Sequence, residues 1–499
     1  MVTIFDLILP IFTLVVASLL TIPLIKVIRK SSYKTGLTVG WVLVVFTVVC
    51  ITVANLAVSY YSVVNPEPLL LTLDETSNPF IATSFLVDAM TIFMAIIIVA
   101  ISAVVMVYTV FFVDPAKRPS GRYLAIMFIL TGAILAAVFA GDLLTFFICW
   151  EAVTAAAVFL MLYRKKAVNL NATLKYLVMV IIASAFVLFG LSIIYGITGT
   201  LNYVGVREAL STLVVTNQNL LIIAFVFIIA GYAIEAAIVP FHFWLPDAYT
   251  AAPAPSAAFL SALVDQGSYY ILIRILLFII FPDAGLDWTI MLAILAALTM
   301  IVGNLFALIQ NSVKRLIAYI CVADVGYNLV AITSLTQLGL AGNLYFFLIG
   351  GITTALAFMA VGIINSHGFR TLEDFAGIGK KMPWASLALI MAGLSFAGVP
   401  PLGGFIAKYF VFTAAISADL TWLAVIGVLT SVLQTAYIFR LVNVMYGKKP
   451  KIETSIKENK YILIPVFVLV AAIFILGLFP DIVLNLIQPI MNQLPFPLP

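Results

Sequence analysis

The sequence predicts an all-α polytopic membrane protein of about fourteen transmembrane helices, with two inverted five-helix repeats that each contain a discontinuous helix. Three observations predict it. Hydrophobic residues make up 64% of the 499 and charged residues only 9%, with a mean hydropathy of +1.21, outside the range of soluble globular domains. Apolar runs of roughly 20 to 28 residues follow one another along the chain, each long enough to cross about 30 Å of hydrocarbon. Two runs are broken by proline, roughly 160 residues apart.

Taken between charges, prolines and glycines, the spans begin near residues 4, 37, 84, 121, 142, 173, 220, 254, 288, 315, 338, 384, 419 and 461. The first, Ile4 to Ile28, is too long for a signal-peptide core and ends in Lys26, Arg29 and Lys30, so it reads as a retained span. Loops after odd-numbered spans are basic. They carry Lys34, then Lys117, Arg118 and Arg122, then Arg164, Lys165 and Lys166, then Lys314 and Arg315. Further on come Arg370, Lys380 and Lys381, and finally Lys448, Lys449, Lys451, Lys457 and Lys460. The other loops hold Glu67, Asp74, Glu75, Asp283, Asp287 and Asp419, with Arg207 the basic exception. The positive-inside rule therefore puts the odd-to-even loops in the cytoplasm and both termini outside the cell membrane. The net charge of +4 is loop charge and implies no nucleic acid.

These spans divide the chain into residues 1–113 (helices one to three), 114–282 (first repeat), 283–446 (second repeat) and 447–499 (helix fourteen and tail). The loop from Asn65 to Ser84 is expected to cover the external face. The tail after Pro480, ending NQLPFPLP, is expected to lie along a neighbour, and no extended amphipathic stretch follows helix fourteen.

Ionisable residues inside spans are the informative remainder: Glu151 in span five, Glu235 in seven, Asp265 in eight, Asp324 in ten and Lys408 in twelve. A charge at mid-bilayer costs at least about 2.5 to 3.5 kcal/mol on insertion scales, so five of them point to a path for protons or a small hard cation. The competing reading is that each pairs with a backbone group or an opposite charge and fixes packing. Asp88 and Asp142 fall at span ends, where water or headgroups are expected to solvate them. Cys50, Cys149 and Cys321 stand singly, with only His242 and His367 to help, so no metal, haem or iron-sulfur ligand set is expected.

Span seven is interrupted by Pro240 and Pro246, and span twelve by Gly398, Pro400, Pro401, Gly403 and Gly404. Proline removes a backbone donor and clashes with the preceding turn, freeing carbonyls at membrane depth that only protein or a hydrated cavity can satisfy. Each break lies in the fourth of five consecutive spans, spans four to eight and nine to thirteen. An odd number of spans per unit inverts the second copy.

Several segments together resemble the antiporter-like subunits shared by respiratory complex I, the multi-subunit Mrp sodium/proton antiporters and archaeal membrane-bound hydrogenase-type complexes. They are LLTFFICWEAV with Glu151, LKYLVM with Lys175, VPFHFWLPDAYTAAPAPSAAFL from Val239, SVKRLIAYI with Lys314 and Arg315, and GVPPLGGFIAKYF with Lys408. The resemblance covers nearly the whole chain. It implies a hydrated path at mid-membrane that uses a Glu in span five and Lys in spans seven, eight and twelve and continues into neighbouring subunits. Glu151 and Lys408 match that scheme. Where the family has Lys five positions before the VPFH proline, this chain has Glu235; the KxGxY lysine falls on Asp265, or on Gln266 when counted back from Arg274; a third basic position is Thr354.

The resemblance further implies that redox centres, whether iron-sulfur, a metal cluster or a quinone site, belong to partner subunits, with no cofactor in this chain. Partners are then other membrane subunits, including antiporter-like ones, with lipids and with H+ or Na+. Three roles follow: an ion-translocating subunit of a redox-driven complex, a coupling or scaffold subunit that has lost full translocation, or a subunit of a stand-alone Mrp-type antiporter.

Overall fold

The computed structural model describes residues 3–62, 67–72, 83–113, 120–163, 167–213, 218–279, 287–450 and 456–493. The loop charges Asp74, Glu75, Lys117, Arg118, Arg164, Lys165, Lys166, Asp283 and Lys451, and the tail beyond Gln493, lie outside them.

The chain is a multi-pass helical membrane protein. Among the described residues thirteen helices are long and apolar enough to cross a membrane, and the shorter apolar pair Pro383–Ala397 and Gly403–Ser417, together span twelve, brings the number of spans to fourteen. Spans one to six are Ile4–Ile28, Lys34–Tyr61, Ala89–Phe112, Ser120–Val138, Leu143–Met161 and Ala167–Thr198. Span seven is Gln218–Glu235 followed, after a break, by Trp244–Ala251. Span eight runs from Ala254 to Ile279 and passes twice into wider π-helical turns, at Leu260–Val264 and Arg274–Ile279. Spans nine to eleven are Thr289–Leu308, Val313–Thr333 and Gln337–Ser366; spans thirteen and fourteen are Thr421–Gly447 and Lys460–Leu478.

Spans eight and ten are enclosed by protein all round, and span eleven nearly so. That is where the sequence concentrates polar residues among apolar ones: Asp265 and Gln266 in eight, Asp324 and Asn328 in ten, Asn343, Thr353 and Thr354 in eleven. Polar side chains are costly against lipid and so turn inward. Glycine lets the backbones close up. A Cβ at Gly303 would stand 2.6 Å from the Ala323 nitrogen, and one at Gly326 2.7 Å from the Met300 nitrogen, so spans nine and ten interlock through both.

The span-end acids are not water-solvated. Asp88 is 3% exposed and forms a bidentate pair with Arg274, which is 1% exposed, at 2.6 and 2.9 Å. Its Oδ1 also caps span three by accepting from Thr91 N. Asp142 is likewise buried and accepts from Thr145 N, Thr145 Oγ1, Ser84 N and Ser84 Oγ, capping span five and anchoring the segment before span three. Each carboxylate found donors from a second segment, which no local pattern shows.

Two strands, β1 (Leu69–Thr72) and β2 (Ser84–Val87), pair antiparallel where a loop alone was expected, with Leu69 opposite Val87 and Thr72 opposite Ser84. A helix, Asp481–Asn492, follows span fourteen and buries Val483, Ile487 and Ile490 against spans three and eleven of this same chain. Gln493 then accepts from Ala89 N at 2.9 Å and donates to Tyr60 Oη at 2.6 Å. This part of the tail therefore docks on its own chain through one face, and leaves Ile482 and Leu486 of the other exposed.

Candidate functional site

The two broken spans end their first halves in the same way. After Glu235, Ala237 turns left-handed (φ 54°), its N–H reaching Ile234 O while the next N–H, of Ile238, reaches Ala233 O. After Phe396, Gly398 turns left-handed (φ 73°), its N–H reaching Ser395 O while the Val399 N–H reaches Leu394 O. Both are Schellman closures, which satisfy last-turn carbonyls that would otherwise be bare at membrane depth. Pro240 and Pro401 each stand three residues beyond the left-handed residue. The charges differ in placement. Glu235 is the last residue of the first half of span seven, whereas Lys408 lies in the second half of span twelve. Gly404 lets the halves of span twelve overlap, since a Cβ there would fall 1.8 Å from Ser395 O.

Five spans bring Glu151, Glu235, Asp265, Asp324 and Lys408 into one chain of neighbours. Glu151 accepts from Ser184 Oγ at 2.5 Å and interacts electrostatically with Glu235. Glu235 is 7% exposed and interacts with Trp150, next to Glu151; Oε2 of the one and Nε1 of the other are buried without a well-formed hydrogen bond among the described residues. The buried Tyr176 lies in the field of Glu151, Glu235 and Asp265 together. Spans five and eight touch here, for a Cβ on Gly267 would meet the Trp150 ring at 2.7 Å. Asp265 accepts from Tyr249 Oη. Cys321 and Tyr269 each interact with both Asp265 and Asp324.

Asp324 interacts electrostatically with Lys408. Lys408 Nζ donates to Gln434 Oε1 at 2.6 Å and Ser431 Oγ at 3.0 Å, and stands 4.2 Å from the centroid of the Tyr327 ring. A void of about 10 Å³ touches both Asp324 and Lys408, close to the volume that one water needs. Asp324 also interacts with Gln434, but its Oδ1, like Gln266 Oε1, is buried without a well-formed hydrogen bond among the described residues. Such atoms call for water or an ion. Four carboxylates and one ammonium in series can hold, pass or exchange a small cation.

Lys175 and Lys314 stand elsewhere. They line a cavity of about 640 Å³ formed where spans six and ten begin and spans three, seven and eleven end. Asp247, on the second half of span seven, bridges Lys175 Nζ (2.6 Å) and Arg315 Nη1 (2.9 Å), tying the first repeat to the second. Lys314 Nζ donates to Ala252 O, just beyond that half-helix. Thr354 bonds within its own helix, to Gly351 O. Sequence reasoning passed over Asp247, Tyr249, Tyr327 and Gln434. Asp247 had a signal, being a carboxylate directly after Pro246 in the interrupted span. Among the described residues no three His, Cys, Asp or Glu side chains gather to hold a metal.

Fourteen spans, two inverted broken helices and a buried file of ionisable groups define an antiporter-like membrane subunit. Residues 140–434 match the family described as NADH:quinone oxidoreductase/Mrp antiporter, TM, and the chain belongs to that family. NADH-quinone oxidoreductase subunit N of Desulforamulus reducens is 32% identical over 79% of this chain and 83% of its own length. F(420)H(2) dehydrogenase subunit N of Methanosarcina mazei is 33% identical over 79% and 82%. Among solved structures, a chain of the membrane-bound sulfane sulfur reductase, an archaeal respiratory membrane complex, is similar with a TM-score of 0.83, 27% identity and 97% of each chain covered. A chain of the Mrp complex from Dietzia sp. shares the fold with a TM-score of 0.85 at 22% identity, over 99% of this chain and 98% of that one.

Proposed function

We propose that this chain is an ion-translocating subunit of a redox-driven membrane complex, moving H+ or Na+ along the file from Glu151 through Glu235, Asp265 and Asp324 to Lys408. The observation that carries this reading is the continuity of the file: every member has an electrostatic neighbour or a shared bridging side chain toward the next, across five spans. Buried carboxylates in such a series are costly unless they carry protons or cations in turn. The names of the relatives support the setting, since each is a subunit of a larger oxidoreductase. Redox centres then sit in partner subunits, and neighbouring antiporter-like subunits extend the path. The large cavity is the cytoplasmic mouth, with Lys175 and Lys314 on its walls, and both termini lie outside.

The first half of the path runs on carboxylates alone. Two neighbouring acids do not both ionise readily without a cation between them, so Glu151 and Glu235 share one proton or one Na+, which moves on when the next group changes charge. Replacing Glu235 by Gln in the assembled complex is expected to cut ion pumping in proteoliposomes while electron transfer continues. Undiminished pumping would remove Glu235 from the path and favour a coupling or scaffold role for the first half.

A further inference from the structure

The cavity at the mouth has the wrong lining for a simple cation entrance. Among the described residues Lys175, Lys314, Arg315 and Arg370 face it against one carboxylate, Asp247, which already bridges two of the four. Asp374, on the loop after span eleven, is turned onto the backbone N–H groups of Arg370 and Thr371 and does not line the cavity. A cluster of this sign repels cations and attracts anions over a Debye length of roughly 10 Å.

A second observation points the same way. Asn169, in the first turn of span six, is 6% exposed, lines the cavity and has its Nδ2 donor buried with no acceptor among the described residues. Thr250 Oγ1, which also lines the cavity, is likewise without a partner among them. Orphaned donors beside excess positive charge call for an oxygen-bearing anion. The N-terminus of span ten opens into the same space, since Ser312 and Lys314 both line it, and a helix N-terminus adds oriented N–H groups. The volume of about 640 Å³ far exceeds a halide and accommodates a phosphoryl group with a substituent.

We infer that this cavity is a binding site for a phosphoryl anion, supplied either by a phospholipid headgroup or by a soluble phosphate compound. Arg315 and Lys175 flank it from the two repeats, and Asn169 lines it with an unspent donor. A bound anion would bridge spans six and ten across the second half of span seven, and it would turn a cation-repelling mouth into a neutral one. The site is read by binding, so it stands or falls separately from the translocation path.

The test uses the purified complex that contains this chain, held in maltoside micelles, which carry no phosphate. Inorganic phosphate is titrated by calorimetry, and phosphatidylglycerol retained from mixed micelles is counted by native mass spectrometry. The wild type is expected to bind one of the two saturably per copy of this chain: phosphate binding identifies the soluble source, and lipid retention without phosphate binding identifies the headgroup. Lys175→Gln and Arg370→Gln, both at exposed side chains that the fold does not need, are each expected to weaken that binding about tenfold, the loss of a charge-assisted contact. Asn169→Leu leaves every charge in place and is expected to weaken it as well. Binding that is equal in wild type and all three variants, or no saturable binding of either probe, overturns the proposal.

Discussion

Ala237 and Gly398 hold the same left-handed place at the ends of the first halves of the two broken spans, at φ 54° and 73°. Alanine resists that conformation by about 1 to 2 kcal/mol, and glycine does not. Ala237→Gly is therefore expected to stabilise the protein by up to about 1 kcal/mol, after the glycine's extra chain entropy is deducted. Gly398→Ala is expected to destabilise by about the same amount, with its Cβ 3.1 Å from Cδ of Lys408. Thermal unfolding of the purified complex measures both. A lower melting temperature for Ala237→Gly would show that the turn at span seven is held by something other than its backbone preference.

The pair of Asp88 and Arg274 is a structural clamp between spans three and eight, with Tyr270 Oη accepting from Arg274 Nε at 3.1 Å. Both side chains are removed from solvent, so deleting one partner strands the other. Asp88→Ala is expected to cost about 3 to 5 kcal/mol, whereas exchanging both residues together for apolar side chains of similar volume restores most of it. A double-mutant cycle on thermal stability separates the two outcomes. If the single and double changes prove equally harmful, the clamp serves something beyond stability.

Much of this architecture is legible in the sequence because a bilayer imposes one-dimensional rules. Span length, loop charge and proline position are local, and they locate Glu151, Glu235, Asp265, Asp324 and Lys408 on their helices. What the rules do not contain is which helix faces which. Arg274 reaches Asp88 across most of the first half of the chain, and Gln434 meets Lys408 from the next span, so neither partnership leaves a local trace. Lys175 shows the limit from the other side: its motif matches, yet its position near the start of span six sets it in the mouth, with the side chain 63% exposed.

Asp247 contributes little to folding, because it is itself a fifth exposed and its partners Lys175 and Arg315 are 63% and 38% exposed. Solvent-screened pairs of this kind are worth at most about 1 kcal/mol. Its weight is electrostatic, as the only carboxylate among the described residues lining the mouth. Asp247→Asn is expected to leave the melting temperature nearly unchanged and to slow ion uptake severalfold at low ionic strength, where four cations face an entering cation unopposed. Raising the salt shortens the screening length and is expected to restore part of the rate. An uptake defect that ignores salt would instead assign Asp247 a direct role in proton transfer.

Lys408 is positioned by three different interactions, and they can be taken apart. Gln434 is fully buried and accepts at 2.6 Å, Ser431 accepts at 3.0 Å from a partly buried site, and the Tyr327 ring lies beneath the ammonium at 4.2 Å. A hydrogen bond to a charged group is worth about 1.5 to 3 kcal/mol and a desolvated cation–π contact about 2, so Gln434→Leu and Tyr327→Leu should misplace the ammonium more than Ser431→Ala. Lys408→Met removes the cation and sets the floor. Tyr327→Phe is the informative case, because it keeps the ring and loses only the hydroxyl that bonds Thr430 at 3.1 Å. Ion uptake in proteoliposomes, normalised to electron transfer in the same preparation, should fall least for Ser431→Ala and Tyr327→Phe, more for Gln434→Leu and Tyr327→Leu, and most for Lys408→Met. Should Tyr327→Phe prove as damaging as Tyr327→Leu, the hydroxyl network from Tyr327 through Thr430 and Ser431, and not the ring, is what holds the lysine against Asp324.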